Sequence, residues 1–260
     1  MKISIVTVCF NAAATIEDTI QSVLEQDYPD IEYLIIDGAS KDGTLDVVEK
    51  FRGRDGGRIA RVISEPDRGQ YDSMNKGIKA ATGDVLGFLH ADDYFAHAGV
   101  VSALAEAFNR QPVDCVYGDL DFVSATDKSR IVRRWRSEAY QPGASLRGWH
   151  PPHPTLYIKR ALFLKMGGFD LRYRIAADVD FMTRLFECEH ATSVHIPRVL
   201  VVMREGGASN KNLRNIARAN WESWIAARRA GLAVSPLYML RKPLSRVGQL
   251  FHRDSADERA

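Results

Sequence analysis

Residues 86–95 read LGFLHADDYF, an apolar run that ends abruptly in two adjacent carboxylates, Asp92 and Asp93. A run of this length and composition predicts a buried strand with both acids at its carboxyl end. In open α/β sheets ligands bind beyond that edge, and Mg²⁺-type ions are held by one or two carboxylates together with substrate phosphates. The alternative interpretation is a helix N-cap, because an aspartate before a helix accepts hydrogen bonds from its first backbone N–H groups.

The chain before this stretch alternates strand and helix patterns. Apolar, β-branched runs at residues 3–8, 32–37 and 61–65 predict three strands, and residues 16–24 carry the pattern of an amphipathic helix. This order predicts an α/β fold with a mostly parallel, Rossmann-like sheet flanked by helices. A dinucleotide-binding fold would need G-x-G-x-x-G after the first strand, where residues 10–14 contain no glycine.

Composition and charge argue against several classes of function. The 260 residues carry a net charge of +2, so we expect no nucleic-acid partner. Cys9, Cys115 and Cys188 are widely spaced without a CxxC motif, which argues against a zinc site or a disulfide framework and fits a reducing, cytoplasmic compartment. The amino terminus enters a strand without a signal-peptide core, and no apolar stretch reaches the roughly 18 residues of a membrane span.

A polar segment at residues 64–77 follows the third predicted strand. Its position suits a loop that closes over a phosphorylated ligand, with Arg68 and Lys76 as candidate phosphate contacts, although the same charges also suit a solvated loop. Asp37 ends the second predicted strand. A carboxylate there can accept hydrogen bonds from a base N–H or from ribose hydroxyls, or it can simply form the turn before Gly38.

Four motifs, in this order, resemble the family-2 glycosyltransferases with the GT-A fold. They are SIVTVCFN at 4–11, IIDGASKDGT at 35–44, SEPD at 64–67 with NKG at 75–77, and HADD at 90–93. Several motifs in the right order and spacing are much more specific than any one of them. The resemblance implies transfer of a sugar from a nucleoside-diphosphate donor, usually UDP-linked, with inversion at the anomeric carbon.

The donor-site residues that we predict are Thr7, Asn11, Asp37, Arg68, Lys76 and Asp92. By the resemblance, Thr7 and Asp37 would sit at the uracil and ribose. Asp92 and Asp93 match the D-x-D region that holds Mn²⁺ or Mg²⁺ on the diphosphate, with the metal mainly on Asp92. The first acid of that motif is His90 in this chain, so either a ribose contact or no donor contact is open for His90.

Asp178 begins a predicted helix and is the candidate general base. An inverting transfer needs one carboxylate that takes the proton from the acceptor hydroxyl. Residues 167–170 and the pair Ala177-Asp178 resemble the family's Gly-Gly-Phe-Asp followed by Glu-Asp at a helix start, with alanine in place of the glutamate. The resemblance therefore implies Asp178 as the base, with Asp180 as second choice. The alternative is a first-turn acid at the positive end of the helix dipole.

Residues 137–154 are predicted to form a long loop, and loops of this length inside a domain are often functional. Trp149, His150 and His153 lie in it, where they would stack on a sugar, hydrogen-bond to it or serve as packing anchors. The two histidines also have the spacing of a metal pair, but a zinc site needs three or four ligands and no third follows nearby.

The tail is strongly basic. Residues 204–253 contain ten Lys and Arg against two acids, a net charge of +8, whereas the whole chain carries +2. Leu240, Leu244, Val247 and Phe251 repeat at helical spacing among these charges, which is typical of an interfacial helix on an anionic membrane. The alternative is a helix packed on the domain with a solvated basic face. We expect residues 254–260 to be disordered.

These features predict a GT-A domain at 1–203, with a nucleotide-binding half at 1–95 and an acceptor-binding half at 96–203, followed by the basic helical tail. The predicted function is a hexosyl- or N-acetylhexosaminyltransferase of polysaccharide biosynthesis that acts at the inner face of the cell membrane. Its acceptor would be a glycan or a polyprenyl-diphosphate-linked saccharide. A nucleotidyltransferase would need a glycine-rich, basic loop that residues 10–15 lack. A non-catalytic, membrane-associated scaffold that binds nucleotide sugar is the remaining alternative.

Overall fold

A nine-stranded sheet runs through the described part of the chain, which a computed structural model defines at residues 1–53, 56–206 and 213–235. The strands are β1 Ile3–Cys9, β2 Ile31–Asp37, β3 Ile59–Ser64, β4 Val85–Phe88, β5 Asp93–Phe95, β6 Cys115–Val123, β7 Ile131–Trp135, β8 Tyr157–Lys159 and β9 Ser193–Arg204. The helices are α1 Ile16–Leu24, α2 Thr44–Phe51, α3 Gln70–Ala80, α4 Val100–Arg110, α5 Arg160–Lys165, α6 Ala177–Thr183 and α7 Leu213–Arg229. Hydrogen-bonded neighbours follow the order β3-β2-β1-β4-β8-β6-β9-β5, and β7 pairs with β6.

The first four strands form a parallel half of the sheet. β2 and β4 flank β1, with Ile3 opposite both Ile31 and Val85, and β3 lies outside β2. β1 and β2 are buried along their whole length, which explains why both sequences are continuous apolar runs. The predicted parallel α/β arrangement is confirmed for this half. The carboxyl ends of β1, β2 and β4 therefore lie at one edge.

The second half of the sheet is mixed in direction. β8 runs antiparallel to β4 and β6, whereas β9 runs parallel to β6 and antiparallel to β5. β7 pairs antiparallel with β6. The β4–β8 pair joins the predicted nucleotide-binding half to the predicted acceptor-binding half within one sheet.

Apolar cores fill both faces of the sheet. Ile5 of β1 belongs to the core under α1 and α4, while its neighbour Val6 belongs to the core under α3, α5 and α6. This alternation is the two-residue period of a strand buried on both faces. Gly77 brings α3 against β1, since a Cβ at that position would lie 2.5 Å from Cγ1 of Val6. The close approach fixes the start of α3 beside the carboxyl edge of the sheet.

Helix α7 lies in the predicted basic tail and packs against α6. Its Ala226 and Ala227 are buried against the domain, so this part of the tail is docked on the sheet domain. In the ranges that the structure describes, no helix is both long enough and apolar enough to span a membrane. The predicted apolar face at residues 240–251 and the predicted disordered end at 254–260 lie outside the described residues.

Candidate active site

A cleft of about 1130 Å³ opens at the carboxyl edge of the parallel strands. The segment after β1 contributes Phe10 and Asn11, and the segment after β4 contributes His90 and Asp92. The starts of α3 and α6 and the loop around His153 also contribute to the lining. Because β1 and β4 are adjacent and parallel, their ends open on the same space, as expected for a ligand site of an open α/β sheet. The volume suits a nucleotide-sized ligand with room beside it.

The fold brings three of the predicted site residues into this cleft. Asn11, Asp92 and Asp178 line it, although they come from three distant parts of the sequence. In the described structure, the predicted residues that lie outside the lining are Thr7, Asp37, Arg68, Lys76 and Asp93.

Thr7 and Asp37 are both fully buried and hydrogen-bonded within the sheet edge. Thr7 Oγ1 lies 2.9 Å from Tyr33 Oη. The carboxylate of Asp37 accepts hydrogen bonds from the backbone N–H and hydroxyl of Ser40 and from the hydroxyl of Ser64. These bonds hold the turn that follows β2, which is the alternative interpretation given above for Asp37. Contact with a nucleotide stays a prediction for both residues.

Arg68 and Lys76 belong to the polar segment around the start of α3. Arg68 is exposed and pairs with Asp72, and Nζ of Lys76 donates to the carbonyl of Pro66 at 2.8 Å and pairs with Glu65 at 3.0 Å. Both cations therefore brace the loop between β3 and α3. A phosphate contact stays a prediction for both residues.

Asp92 and Asp93 point to different environments. Asp92 is half-buried in the cleft wall, and its backbone carbonyl accepts a hydrogen bond from Arg204 at 2.8 Å. Asp93 is fully buried, and neither of its carboxyl oxygens has a hydrogen-bond partner among the described residues. Burial, reinforced by the charge of Asp92, raises the pKa of Asp93 well above its usual range. Of these two acids, Asp92 is thus the one that lines the cleft.

The cleft fits a divalent cation that is completed by its substrate. Among residues 1–53, 56–206 and 213–235, no three His, Cys, Asp or Glu side chains gather into a metal site of their own. The carboxylate of Asp92, which lines the cleft, suits a hard ion that takes its other ligands from a diphosphate and water. Asp92 is therefore the residue that would hold Mn²⁺ or Mg²⁺.

Two histidines form an uncharged wall of the cleft. The rings of His90 and His153 stack with centroids 6.0 Å apart, and His153 also stacks on Phe88 at 5.8 Å. Burial lowers the pKa of His153 to about 4 and also lowers that of His90, so both rings are neutral at pH 7. His150 instead packs edge-on against Trp135 at 5.7 Å. His150 and His153, the two histidines of the 137–154 loop, therefore pack against different aromatic rings.

Asp178 is the second residue of α6 and faces the cleft. The hydroxyl of Tyr71, near the start of α3, lies 3.0 Å from Asp178 Oδ1 and 2.6 Å from the carbonyl oxygen of Ile175. These contacts hold the carboxylate and the preceding backbone in place. The arrangement leaves a half-exposed, oriented carboxylate at a point where a bound hydroxyl can approach it.

Asp180, the second choice for the base, serves a different purpose. It is buried and pairs with Arg184 at 2.9 Å, and the same guanidinium donates to the carbonyls of Met166 and Gly168. This network ties α6 to the end of α5. Asp180 does not line the cleft in the described structure, so the geometry favours Asp178.

One wall of the cleft consists of residues that the sequence analysis did not predict. Phe122 of β6 and Arg133 and Trp135 of β7 line it, with the guanidinium carbon of Arg133 3.7 Å from the centre of the Phe122 ring. The alternation in IVRRW puts Arg133 and Trp135 on one face of a strand, which is the signal that could have found them. Tyr71 carried no such signal, because its partner lies 107 residues away.

Solved structures share this fold. S. aureus TarS residues 1–349, solved in complex with UDP-GlcNAc, superposes with a TM-score of 0.69 at 17% identity, over 92% of this chain and 69% of that one. The mannosyltransferase PcManGT from Pyrobaculum calidifontis, solved with GDP-Man and Mn²⁺, gives 0.61 at 18% identity, over 98% and 76%. These likenesses confirm the predicted GT-A fold.

Relatives at higher identity are glycosyltransferases. The chain is 36% identical over 194 residues to an uncharacterized glycosyltransferase of Mycobacterium tuberculosis, which covers 73% of this chain and 71% of the relative. It is 33% identical over 209 residues to a PGL/p-HBAD biosynthesis glycosyltransferase of Mycobacterium bovis, over 80% and 78%. The model of glycosyl transferase family 2 matches residues 4–172. The chain therefore belongs to glycosyl transferase family 2.

Proposed function

We propose that the protein transfers a hexosyl or N-acetylhexosaminyl unit from a UDP-linked sugar to a hydroxyl of a saccharide or lipid-linked saccharide, with inversion. The observation that carries this proposal is that Asp92 and Asp178 line one cleft from different elements, the segment after β4 and the start of α6. One carboxylate can serve the diphosphate and the other the acceptor. The complex of TarS with UDP-GlcNAc supports a UDP-linked donor.

The donor side of the cleft lies at the ends of β1 and β4. Phe10 is 65% exposed there and offers a flat apolar surface for a base. Asn11 turns the chain around the rim with φ 50°, a conformation that asparagine adopts more readily than most residues, and its side chain accepts a hydrogen bond from the backbone of Lys41. With the base on Phe10, the diphosphate of the donor would lie near Asp92.

Asp92 would hold Mn²⁺ or Mg²⁺ on that diphosphate. A bound ion would neutralise the negative charge that develops on the departing diphosphate. The Mn²⁺ in the complex of the mannosyltransferase PcManGT supports a metal of this kind. The carboxylate of Asp93 is buried and does not line the cleft in the described structure, so Asp92 alone would hold the ion.

Asp178 acts on the acceptor. Its carboxylate takes the proton of the acceptor hydroxyl while that oxygen forms a bond to the anomeric carbon and the bond from that carbon to the diphosphate oxygen breaks. The electron pair of the broken bond leaves with the diphosphate, and attack from the opposite face inverts the centre. A single displacement needs no second carboxylate as nucleophile, unlike retaining transfer.

The neutral histidine wall supports this role of Asp178. A protonated imidazole beside the carboxylate would pair with it and lower its affinity for the acceptor proton. Because burial keeps the pKa of His153 at about 4, its ring stays uncharged at neutral pH and leaves the carboxylate available.

The acceptor side is bounded by Phe122, Arg133 and Trp135, a surface that combines rings for a sugar face with a cation for an anionic group. A polyprenyl-diphosphate-linked saccharide has both features. The relative named for PGL/p-HBAD biosynthesis supports a glycolipid-type acceptor. We place the reaction at the inner face of the cell membrane, with contact through the basic tail.

Release of UDP tests the proposal. Purified protein is incubated with Mn²⁺, a panel of UDP-sugars and membrane lipid extract, beside Asp92→Ala, Asp178→Asn and the surface control Glu106→Gln. We expect metal-dependent turnover of one donor that both aspartate variants lose and the control keeps. Absence of any UDP binding would overturn the proposal.

A second candidate, a scaffold that binds nucleotide sugar without turnover, has two observations in its favour. His90 and Ala177 stand where the family pattern has acids. Tight, metal-dependent UDP binding without turnover of any donor, with acceptor lipid present, would support the scaffold and reject the transferase.

A further inference from the structure

Glu222, in the middle of α7, is buried beneath the segment that precedes α6, with 6% of its surface exposed. Its Oε2 accepts hydrogen bonds from the backbone N–H groups of Arg174 at 3.0 Å, Ile175 at 2.8 Å and Ala176 at 3.1 Å. Its Oε1 accepts a hydrogen bond from Nε of Arg218 at 2.7 Å. One carboxylate of the tail therefore gathers three consecutive N–H groups of the catalytic domain.

These three N–H groups belong to the residues two to four positions before Asp178. Helix α6 begins at Ala177, and its N-cap is Ala176, a residue without a side-chain acceptor. In a capping box, a glutamate at the third helical position would bond to the N-cap N–H, but that position is Val179. Glu222 supplies the missing acceptor from another helix, so the start of α6 depends on α7 for its capping.

The same peptide is held from its other side by Tyr71. The N–H of Ile175 donates to Glu222, while the carbonyl of Ile175 accepts from Tyr71, whose hydroxyl also contacts Asp178. Burial alone would raise the pKa of Glu222, but the bonds from Arg218 and the three backbone N–H groups lower it. The carboxylate is therefore ionised at neutral pH and makes strong, charge-assisted hydrogen bonds.

We propose that Glu222 is a positioning residue for the general base and that α7 is a structural part of the catalytic site. The inference rests on the proposed role of Asp178. Without Glu222, three N–H groups lose their acceptor and the backbone before Asp178 gains freedom, which displaces the carboxylate from the acceptor hydroxyl. Ile216, Ala219 and Asn220 of α7 also line the cleft, so the helix meets the site through several side chains.

Steady-state kinetics of the full-length chain test the inference. We expect Glu222→Ala to lower kcat roughly 100-fold, the cost of misplacing a reacting group by about 1 Å. Glu222→Gln keeps one oxygen acceptor, so we expect a loss of about tenfold. The KM of the donor and the affinity for UDP should stay unchanged in both, because Glu222 acts only on the base.

Glu32→Gln is the matched control. Glu32 also has 6% of its surface exposed and also accepts backbone and hydroxyl hydrogen bonds, but it sits near the amino ends of the strands, away from the cleft. We expect Glu32→Gln to lower thermal stability without lowering kcat of the folded protein. Equal kcat losses in Glu32→Gln and Glu222→Gln at equal folded fraction would reduce Glu222 to a general stabilising residue and overturn the inference.

A double variant separates this inference from the proposed function. In an Asp178→Asn background, assayed at high enzyme concentration for its residual rate, Glu222→Gln should lower that rate no further, since a residue that acts through the base loses its effect with the base. A full additional loss would overturn the positioning role. A wild-type protein without any transfer would instead reject the proposed function, and a wild-type rate retained in both Glu222 variants would reject only the inference.

Discussion

Tyr71 Oη lies 3.0 Å from Oδ1 of Asp178, although the two residues are 107 positions apart in the chain. The contact links the first turn of α3 to the first turn of α6 in the lining of the cleft. It joins the helix that follows the polar loop after β3 to the carboxylate that the proposed mechanism uses as base.

Replacing Tyr71 by phenylalanine should lower kcat about tenfold, because a hydrogen bond that orients a catalytic carboxylate is lost while the ring remains packed. UDP affinity, measured by calorimetry, should not change. Tyr28→Phe removes a hydroxyl that donates to the backbone carbonyl of Met1, away from the cleft, and should leave the rate unaltered. Equal rates for Tyr71→Phe and wild type would show that Asp178 is oriented without this contact.

Asp92 and Asp93 should differ in metal dependence. Asp92→Asn should weaken Mn²⁺-dependent UDP binding at least tenfold, since it removes the carboxylate that the segment after β4 presents to the cleft. Asp93→Asn should retain that dependence, because its side chain is buried beneath the wall. Calorimetric titration of UDP with Mn²⁺ and with EDTA distinguishes them. The opposite ranking would move the ion to Asp93.

Trp135 should govern the acceptor and not the donor. Trp135→Ala removes the ring that packs against His150 and is expected to raise the acceptor KM about tenfold, within the range measured for lost aromatic contacts. Slow hydrolysis of the donor in the absence of acceptor should continue at the wild-type rate. Loss of donor hydrolysis in this variant would place Trp135 on the donor side.

The exposed face of α7 should bind anionic membranes. Arg214, Arg218, Trp221 and Arg228 share one exposed face at helical spacing. Replacing Arg214 and Arg228 by glutamine should weaken sedimentation with phosphatidylglycerol vesicles roughly 30-fold, at about 1 kcal/mol per charge. The control, Arg52→Gln with Arg110→Gln, removes two exposed charges elsewhere. An equal loss of vesicle binding in both double variants would mean that the net charge of the protein, and not a defined surface of α7, attracts the membrane.

Glu32 should make stability depend on acid pH. Burial would raise its pKa, but hydrogen bonds from Ser4 and Thr82 and contact with Lys2 lower it from 4.5 to about 2. Because the folded pKa is below the unfolded one, the stabilisation is complete above pH 4.5 and is lost as the pH falls toward 2. At pH 7, Glu32→Gln should lower the free energy of unfolding by roughly 1–3 kcal/mol.

Denaturant melts of wild type and Glu32→Gln from pH 7 to pH 2 measure this difference. The two stabilities should converge as the pH falls through the window between 4.5 and 2, since wild type then carries a protonated carboxyl at this position. A difference that stays constant down to pH 2 would show that Glu32 stabilises the fold through packing and not through its charge.

The sequence by itself determined the parallel half of the sheet and its ligand edge. The signals for this half are local: apolar runs at β1, β2 and β4, and an amphipathic pattern at α1. A strand buried on both faces is apolar throughout, and a helix buried on one face repeats apolar residues every three to four positions, so a short stretch of sequence is enough to identify each. Asp92 was predicted at the carboxyl end of a strand, and in the structure it follows β4 by four residues. Asp178 was predicted at the start of a helix from the family motif. Both line the cleft.

Only the tertiary structure decided which polar side chains face that cleft. Asp37 ends β2, and Asp93, next to Asp92, begins β5. Both are buried, because the direction of a side chain at a strand boundary depends on the packing around it. Glu222 appeared in the sequence as one acid in a basic tail. Its three hydrogen bonds to the segment before Asp178 arise because α7 docks on α6, and a contact across 46 residues or more leaves no local pattern from which it can be predicted.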